Sequence, residues 1–237
     1  MKKGRFVTFI GVAIGLVSIQ GRAGPPPSRN ITVDAGRSSF VVVTRRAGIA
    51  KSVAHDHLIE AKPTRIIARG VVGRIEGVEF QIRSESMKLT VDDPTSKSRL
   101  QGRLKELKIL DEDFTDLADD DRAEIRKNML SEDQLYARRY PYIEARILSS
   151  KSRDKPSHDA LAANAYLTLD VTIRGRTRRY NDVPARIVWK GDVVHAETVL
   201  NPRFEDFGFE AYSAMLGAVR NRDDFYVYVN LVGKAKT

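Results

Sequence analysis

The sequence predicts an all-β protein with a short helical insertion, built as an antiparallel up-and-down β-barrel of about eight strands. Three observations lead there. Apolar and polar residues alternate with period two over most of the chain, the connections between those segments are short and carry permissive residues, and one stretch alone changes to helical spacing. The alternation is clearest where Leu167, Leu169, Val171 and Ile173 interleave with Tyr166, Thr168, Asp170 and Thr172, which places the four aliphatic side chains on one face of a strand. Comparable runs, rich in β-branched and aromatic residues, span Ile31–Thr44, Thr64–Ile75, Val78–Val91, Tyr142–Ser149, Arg179–Lys190, Val193–Leu200 and Phe225–Val232. Glu76–Gly77, Gly175–Arg176 and Gly191–Asp192 stand where tight hairpins need special backbone, so consecutive strands are expected to be antiparallel neighbours.

The alternation breaks between Pro94 and Tyr140. Leu100, Leu104 and Leu107 recur at helical spacing there, and Ser98 with Gln101 matches a capping box. A second helix is expected from near Asp121, with Ile125 and Met129 four residues apart, and Ser131 with Gln134 offers another capping box before Pro141. The helical insertion is therefore placed near residues 97–136. One insertion among strands disfavours alternating βαβ units. Closing the strands into a barrel removes exposed edges, whereas a two-sheet sandwich would fill its own middle; strand counting does not separate the two.

At 237 residues, with 42% hydrophobic and 30% charged residues, the composition is that of a globular protein, neither disordered nor a polytopic membrane chain. Lys2, Lys3 and Arg5 precede an uncharged apolar run, Phe6–Ile19, followed by the small residues Gly21 and Ala23. The run is shorter than the roughly 20 apolar residues that span a bilayer as a helix, so residues 1–23 read as a signal peptide rather than an anchor. The expected location is periplasmic or secreted. No cysteine is present, so no disulfide can staple the fold, which suits a bacterial periplasm and a domain large enough to rest on its core. Residues 24–30, with three consecutive prolines, form a spacer, and residues 31–237 a single domain.

Removing residues 1–23 takes away four basic residues and no acid, which lowers the formal charge from +9 to +5. The doublets Arg45–Arg46, Arg138–Arg139 and Arg178–Arg179 are scattered, so no nucleic-acid partner is expected. A solvated surface is the simpler reading, transient attraction to an anionic membrane surface the next, and homodimerisation is left open.

The order of motifs resembles the YceI-like family of bacterial periplasmic lipid-binding proteins, from about Ile31 to the C-terminus. Val33–Asp34 with Ser38–Ser39–Phe40 is similar to that family's first strand. Glu124 to Tyr142, through Asn128–Met129–Leu130 and Arg139–Tyr140–Pro141, resembles its helix-to-strand passage. The block Leu167 to Thr177 resembles its strand and turn before the next antiparallel strand, and Asp206–Phe207–Gly208 and the closing Val227–Leu231 strand follow in order. The resemblance implies an extended lipocalin-like barrel and a polyisoprenoid or quinone-like ligand, with no catalytic residue and no cofactor. Two departures stand out: Arg45–Arg46 ends the first strand where many relatives have a histidine, altering the mouth, and Gln101 to Asp121 is longer and more acidic, reshaping the cover.

An isoprenoid tail needs an enclosing apolar wall, and each unit removed from water is worth roughly 3–4 kcal/mol at about 0.8 kcal/mol per carbon group, before ordering costs. The expected wall is Phe40, Val42, Leu167, Leu169, Val171, Ile173, Phe225, Val227 and Val229; the alternative is that these residues fill a dry core. Among polar residues the sharpest pattern is His55–Asp56–His57, two imidazoles on one face of a strand, suited to a ligand headgroup. A metal site is the alternative, and it requires a third ligand: His195 is the nearest in type, while His158 falls in a polar loop. The acidic run Asp111–Asp121 lacks the glycine and closing glutamate of a calcium loop. No Gly-x-Ser-x-Gly elbow, no cysteine nucleophile and no phosphate-cradling glycine loop is present, so neither hydrolase nor nucleotide chemistry has an anchor.

Overall fold

The computed structural model describes residues 27–48 and 54–236; the expected signal peptide and residues 24–26 of the spacer lie outside the described residues. The strands are β1 (Arg29–Val33), β2 (Ser39–Ala47), β3 (His57–Glu60), β4 (Pro63–Gly70), β5 (Glu79–Glu85) and β6 (Thr90–Val91), then helices α1 (Pro94–Glu106) and α2 (Asp119–Leu130). β7 (Tyr142–Ser152), β8 (Ala165–Ile173), β9 (Arg176–Lys190), β10 (Val193–Leu200), β11 (Ser213–Ala214) and β12 (Val219–Ala235) follow.

Eleven of these segments make eight strand paths, because three paths are each broken in two; β11 pairs only with β12 and lies off the ring. β1 and β2 both pair with β12 on one side, while β1 pairs with β4 and β2 with β3 on the other. β4 continues to β5 and β3 to β6, so β5 and β6 are likewise one interrupted path. The first break is a turn in which the Asp34 carboxylate accepts from Gly36 N and Arg37 N at 3.0 and 3.2 Å. A 3-10 turn, Ser86–Lys88, makes the break between β5 and β6, and Ala61 with Lys62 the one between β3 and β4. From β5 the sheet runs antiparallel through β7, β8, β9 and β10 to β12, and β12 closes the ring on β1. A closed antiparallel barrel of eight strands results, and the sandwich alternative is set aside. The β8–β9 hairpin turns at Arg174 and Gly175, both with positive φ (50° and 69°), one residue earlier than the sequence suggested. A Cβ on Gly175 would press on the Tyr140 ring at 3.0 Å.

The helical insertion departs from expectation in its ends. α1 starts at Pro94, and its cap is Asp93, whose carboxylate accepts from Ser96 N at 2.9 Å; Ser98 lies inside the helix. Pro94 at the first position explains this, since its missing N–H costs nothing there and its fixed φ pre-forms the turn. Ser131 ends α2 rather than starting another helix, and residues 131–140 are turns.

Two apolar layers result. Inside the barrel, Ala165, Leu167, Leu169, Val171 and Ile173 of β8 meet Val183, Ala185 and Ile187 of β9 and Phe225 and Leu231 of β12. Outside it, α1 and the chain after it cover Val41, Val43, Leu58 and Tyr228 with Leu100, Leu104, Ile109, Leu110 and Phe114. β2 is therefore apolar on both faces, Phe40 and Val42 inward and Val41 and Val43 outward. Arg103 fastens α1 to the wall through a two-pronged bond to the Glu197 carboxylate at 2.7 and 2.8 Å. The Tyr228 hydroxyl donates to the same carboxylate at 2.8 Å. Burial alone would raise the pKa of Glu197, but these donors hold it below the ordinary carboxylate value.

Candidate functional site

The barrel is filled at one end and hollow at the other. A cavity of about 510 Å³ opens where β2 ends and β3 begins, at the start of β7 and at the β8–β9 hairpin. Of the nine expected wall residues, Phe40, Val42, Val171, Ile173, Phe225, Val227 and Val229 line it. Leu167 and Leu169 lie on the same strand face but deeper, in the packed inner core, and do not reach the cavity. Period-two alternation gives the face of a strand, not the height at which the opposite walls meet. Phe40 stacks on Phe80 with ring centroids 6.4 Å apart, bracing one wall.

Among the described residues two segments cover the opening. The first is the β10–β12 connection, where Phe204 packs between Phe225 and Phe209 at centroid distances of 4.7 and 5.3 Å. The motif Asp206–Phe207–Gly208 anchors it. Asp206 accepts from Arg203 N at 3.1 Å and from the Tyr180 hydroxyl at 2.9 Å, its carbonyl accepts from Arg178 Nε at 2.8 Å, and Phe207 is fully buried. Burial and the Asp206 carboxylate push the Tyr180 hydroxyl above its usual pKa, so it stays a donor.

The second cover is α2. Asp121, Glu124, Ile125, Asn128 and Met129 line the cavity, a spacing that puts all five on one helical face. No residue of α2 is buried. Arg126 ties the helix down through the backbone carbonyls of Leu89, at 2.9 Å, and Met87. The acidic, lengthened stretch Gln101–Asp121 was expected to reshape this cover; most of it instead finishes α1 and pads the outer wall through Ile109, Leu110 and Phe114. Arg45 pairs with Asp224 at 3.1 Å, and Arg46 with Glu112 at 2.6 Å.

His55 and His57 both line the cavity beside Thr44. His57 Nδ1 lies 2.7 Å from Oδ2 of Asp92, a residue 1% exposed whose other carboxylate oxygen accepts from Leu58 N at 2.9 Å. Lys97, itself 5% exposed, stands 3.6 Å from Asp92 and donates to the Thr115 carbonyl. A buried acid is expensive unless paired and hydrogen-bonded, and Asp92 is both. Among the described residues nothing hydrogen-bonds to the buried His55 Nδ1, and a buried polar atom without a partner costs about 1–3 kcal/mol. Burial, then the neighbouring His57 and Arg46, lower the pKa of His55 and so favour its uncharged ring.

His195 does not join this pair. On β10 it alternates with Val194, which is buried in the inner core, so His195 faces out of the barrel. His158 sits in the β7–β8 connection at the opposite end. Among the described residues no group of three or more His, Cys, Asp or Glu is arranged to hold a metal, so the third ligand that the metal alternative required is not assembled. Asp92, Lys97 and the inner face of α2 were not foreseen. Asp92–Asp93–Pro94 reads as a helix entry, and nothing in the sequence couples it to a histidine 35 residues earlier.

No family model and no curated protein matches the chain. Solved structures do. BcnA of Burkholderia cenocepacia aligns at 14% identity over 84% of this chain and 98% of that one, with a TM-score of 0.52. A polyisoprenoid binding domain from Saccharophagus degradans aligns at 8% identity over 88% and 99%, with a TM-score of 0.49. The Campylobacter jejuni YceI protein aligns at 10% identity over the whole of both chains, with a TM-score of 0.43. The chain thus shares its fold with BcnA over nearly all of that protein's length.

Proposed function

We propose that the protein is a non-catalytic, exported carrier or store that encloses an isoprenoid or quinone-like lipid in its barrel. The observation that carries this reading is the hollow end: a cavity of about 510 Å³ walled by Phe40, Val42, Val171, Ile173, Phe225, Val227 and Val229. Its size falls in the roughly 300–1,000 Å³ range of small-ligand sites, and an apolar wall of this kind returns free energy for every carbon group it takes from water. The motif order shared with YceI-like proteins supports the same ligand class. The N-terminal charged and apolar segments support export, and sequencing of the mature N-terminus is expected to begin at Gly24.

The direct test is organic extraction of protein purified from its native host, followed by mass spectrometry of the extract. A stoichiometric isoprenoid species is expected. Repeated recovery of protein with no lipid, and no uptake of added isoprenoid, rejects the proposal.

A further inference from the structure

The polar groups of the cavity are not spread evenly. Along the strands most of the wall is aliphatic or aromatic, with Thr44, Ser84, Glu144 and Asn221 the polar exceptions, while His55 and His57 stand together at the entry of β3. The ring of His57 is fixed by Asp92, 2.7 Å from Nδ1, and Asp92 is fixed in turn by Leu58 N at 2.9 Å and by Lys97. A carboxylate can only accept, so His57 holds a proton on Nδ1 toward Asp92, and in the tautomer with that single proton Nε2 keeps its lone pair. Among the described residues nothing donates to Nε2, and the ring borders the cavity. His57 Nε2 in this tautomer is therefore an acceptor set in a mainly apolar wall, close to His55 Nδ1, which has no partner among the described residues.

We infer that the enclosed lipid carries a neutral hydroxyl head, which donates its hydrogen to His57 Nε2, and that Asp92 sets this preference as a positioning residue. The inference rests on the lipid-binding reading above and adds to it the chemistry of the head. A carbonyl or ether head has no hydrogen to give to Nε2. An anionic head would bring negative charge toward Asp92 and toward Asp121, Glu124 and Glu144, which border the same cavity. An ammonium head would have to shed its hydration shell on entering an apolar wall. A hydroxyl meets none of these penalties, and its oxygen can still accept from His55 in the tautomer that carries Nδ1–H.

The test uses two probes of one tail, a fifteen-carbon isoprenoid alcohol and its methyl ether, bound to the mature full-length protein. The wild type is expected to bind the alcohol about tenfold more tightly, the ratio that one net hydrogen bond supplies. In His57→Phe, which keeps an apolar ring of similar size, the two affinities are expected to agree within about twofold. Asp92→Asn offers an amide to Nδ1 and can invert the tautomer, so there too the preference for the alcohol is expected to vanish. Long-range 1H–15N spectra read the mechanism without any variant: His57 is expected to carry its proton on Nδ1, and Nε2 to shift with the alcohol but not with the ether. Equal binding of both probes to the wild type overturns the hydroxyl inference while leaving the lipid reading intact. So does a preference that survives His57→Phe, or tighter binding of the corresponding amine. Failure of both probes to bind overturns both readings.

Discussion

α1 and α2 belong to one insertion, thirteen and twelve residues long, yet the barrel holds them on different terms. α1 lies on the outer wall, buries Leu100 and Leu104 against Val41 and Val43, and adds a two-pronged Arg103–Glu197 bond. α2 lies across the hollow end, has no fully buried residue, and lines the cavity with Ile125 and Met129. The difference lies in what each helix has beneath it. Packed side chains supply α1 with dispersion and hydrophobic free energy, whereas α2 is only partly buried and is tied down by Arg126 to the carbonyls of Leu89 and Met87. α1 is thus part of the scaffold, and α2 is a cover whose stability depends on the contents.

The largest expected effect tests the root of α1. Asp92→Ala leaves Lys97 buried without its acid, and His57 and Leu58 N without their acceptor, for an expected loss of about 3–5 kcal/mol in a urea titration. Next, Leu104→Ala, at a position 0% exposed, is expected to cost about 2–5 kcal/mol, while Ile125→Ala on α2 costs less than about 1 kcal/mol in the lipid-free protein. Equal losses at the two positions would erase the distinction. Added lipid is expected to sharpen it: amide exchange of α2 should slow by about tenfold or more on filling the cavity, with α1 nearly unchanged.

The smallest effect is on pH dependence. Burial, with His57 and Arg46 nearby, depresses the pKa of His55, so the unfolded chain takes up the proton first as pH falls through the ordinary histidine range. Stability from this source is present above that range and is lost as pH falls toward the depressed value. His55→Gln is expected to flatten the melting temperature across that window, and an unchanged slope would show that other groups set it.

Much of this architecture is legible in the residues, and the gaps have physical causes. The Leu167–Ile173 alternation gives strand and face correctly, yet it could not tell that Leu169 would be packed and Val171 left bordering a void, because that depends on the side chains of strands far away in sequence. Phe40 to Val43 is an unbroken apolar run, which reveals a strand covered on both sides only once α1 is known to lie outside it. The first half of the second path, His57–Glu60, escaped because its polar flanks and Pro63 hide a four-residue pairing with β2. The Ser98–Gln101 pattern was a false cap, since Asp93 and Pro94 already start the helix. His55 and His57 were visible as a pair, but the acid that orients one of them was not, because a contact between the second path and the helix entry leaves no local trace.

The ring is sealed by its two extremities: Ile31 pairs with Ala235, and Phe40 with Val229. A nascent chain therefore cannot finish its circle until the final strand has emerged. Before then, β1, β2 and β10 present unpaired edges that must be kept from joining those of other molecules, by a chaperone or by speed. Any shortening that removes Val219–Ala235 should accordingly yield not a smaller barrel but an open, self-associating sheet.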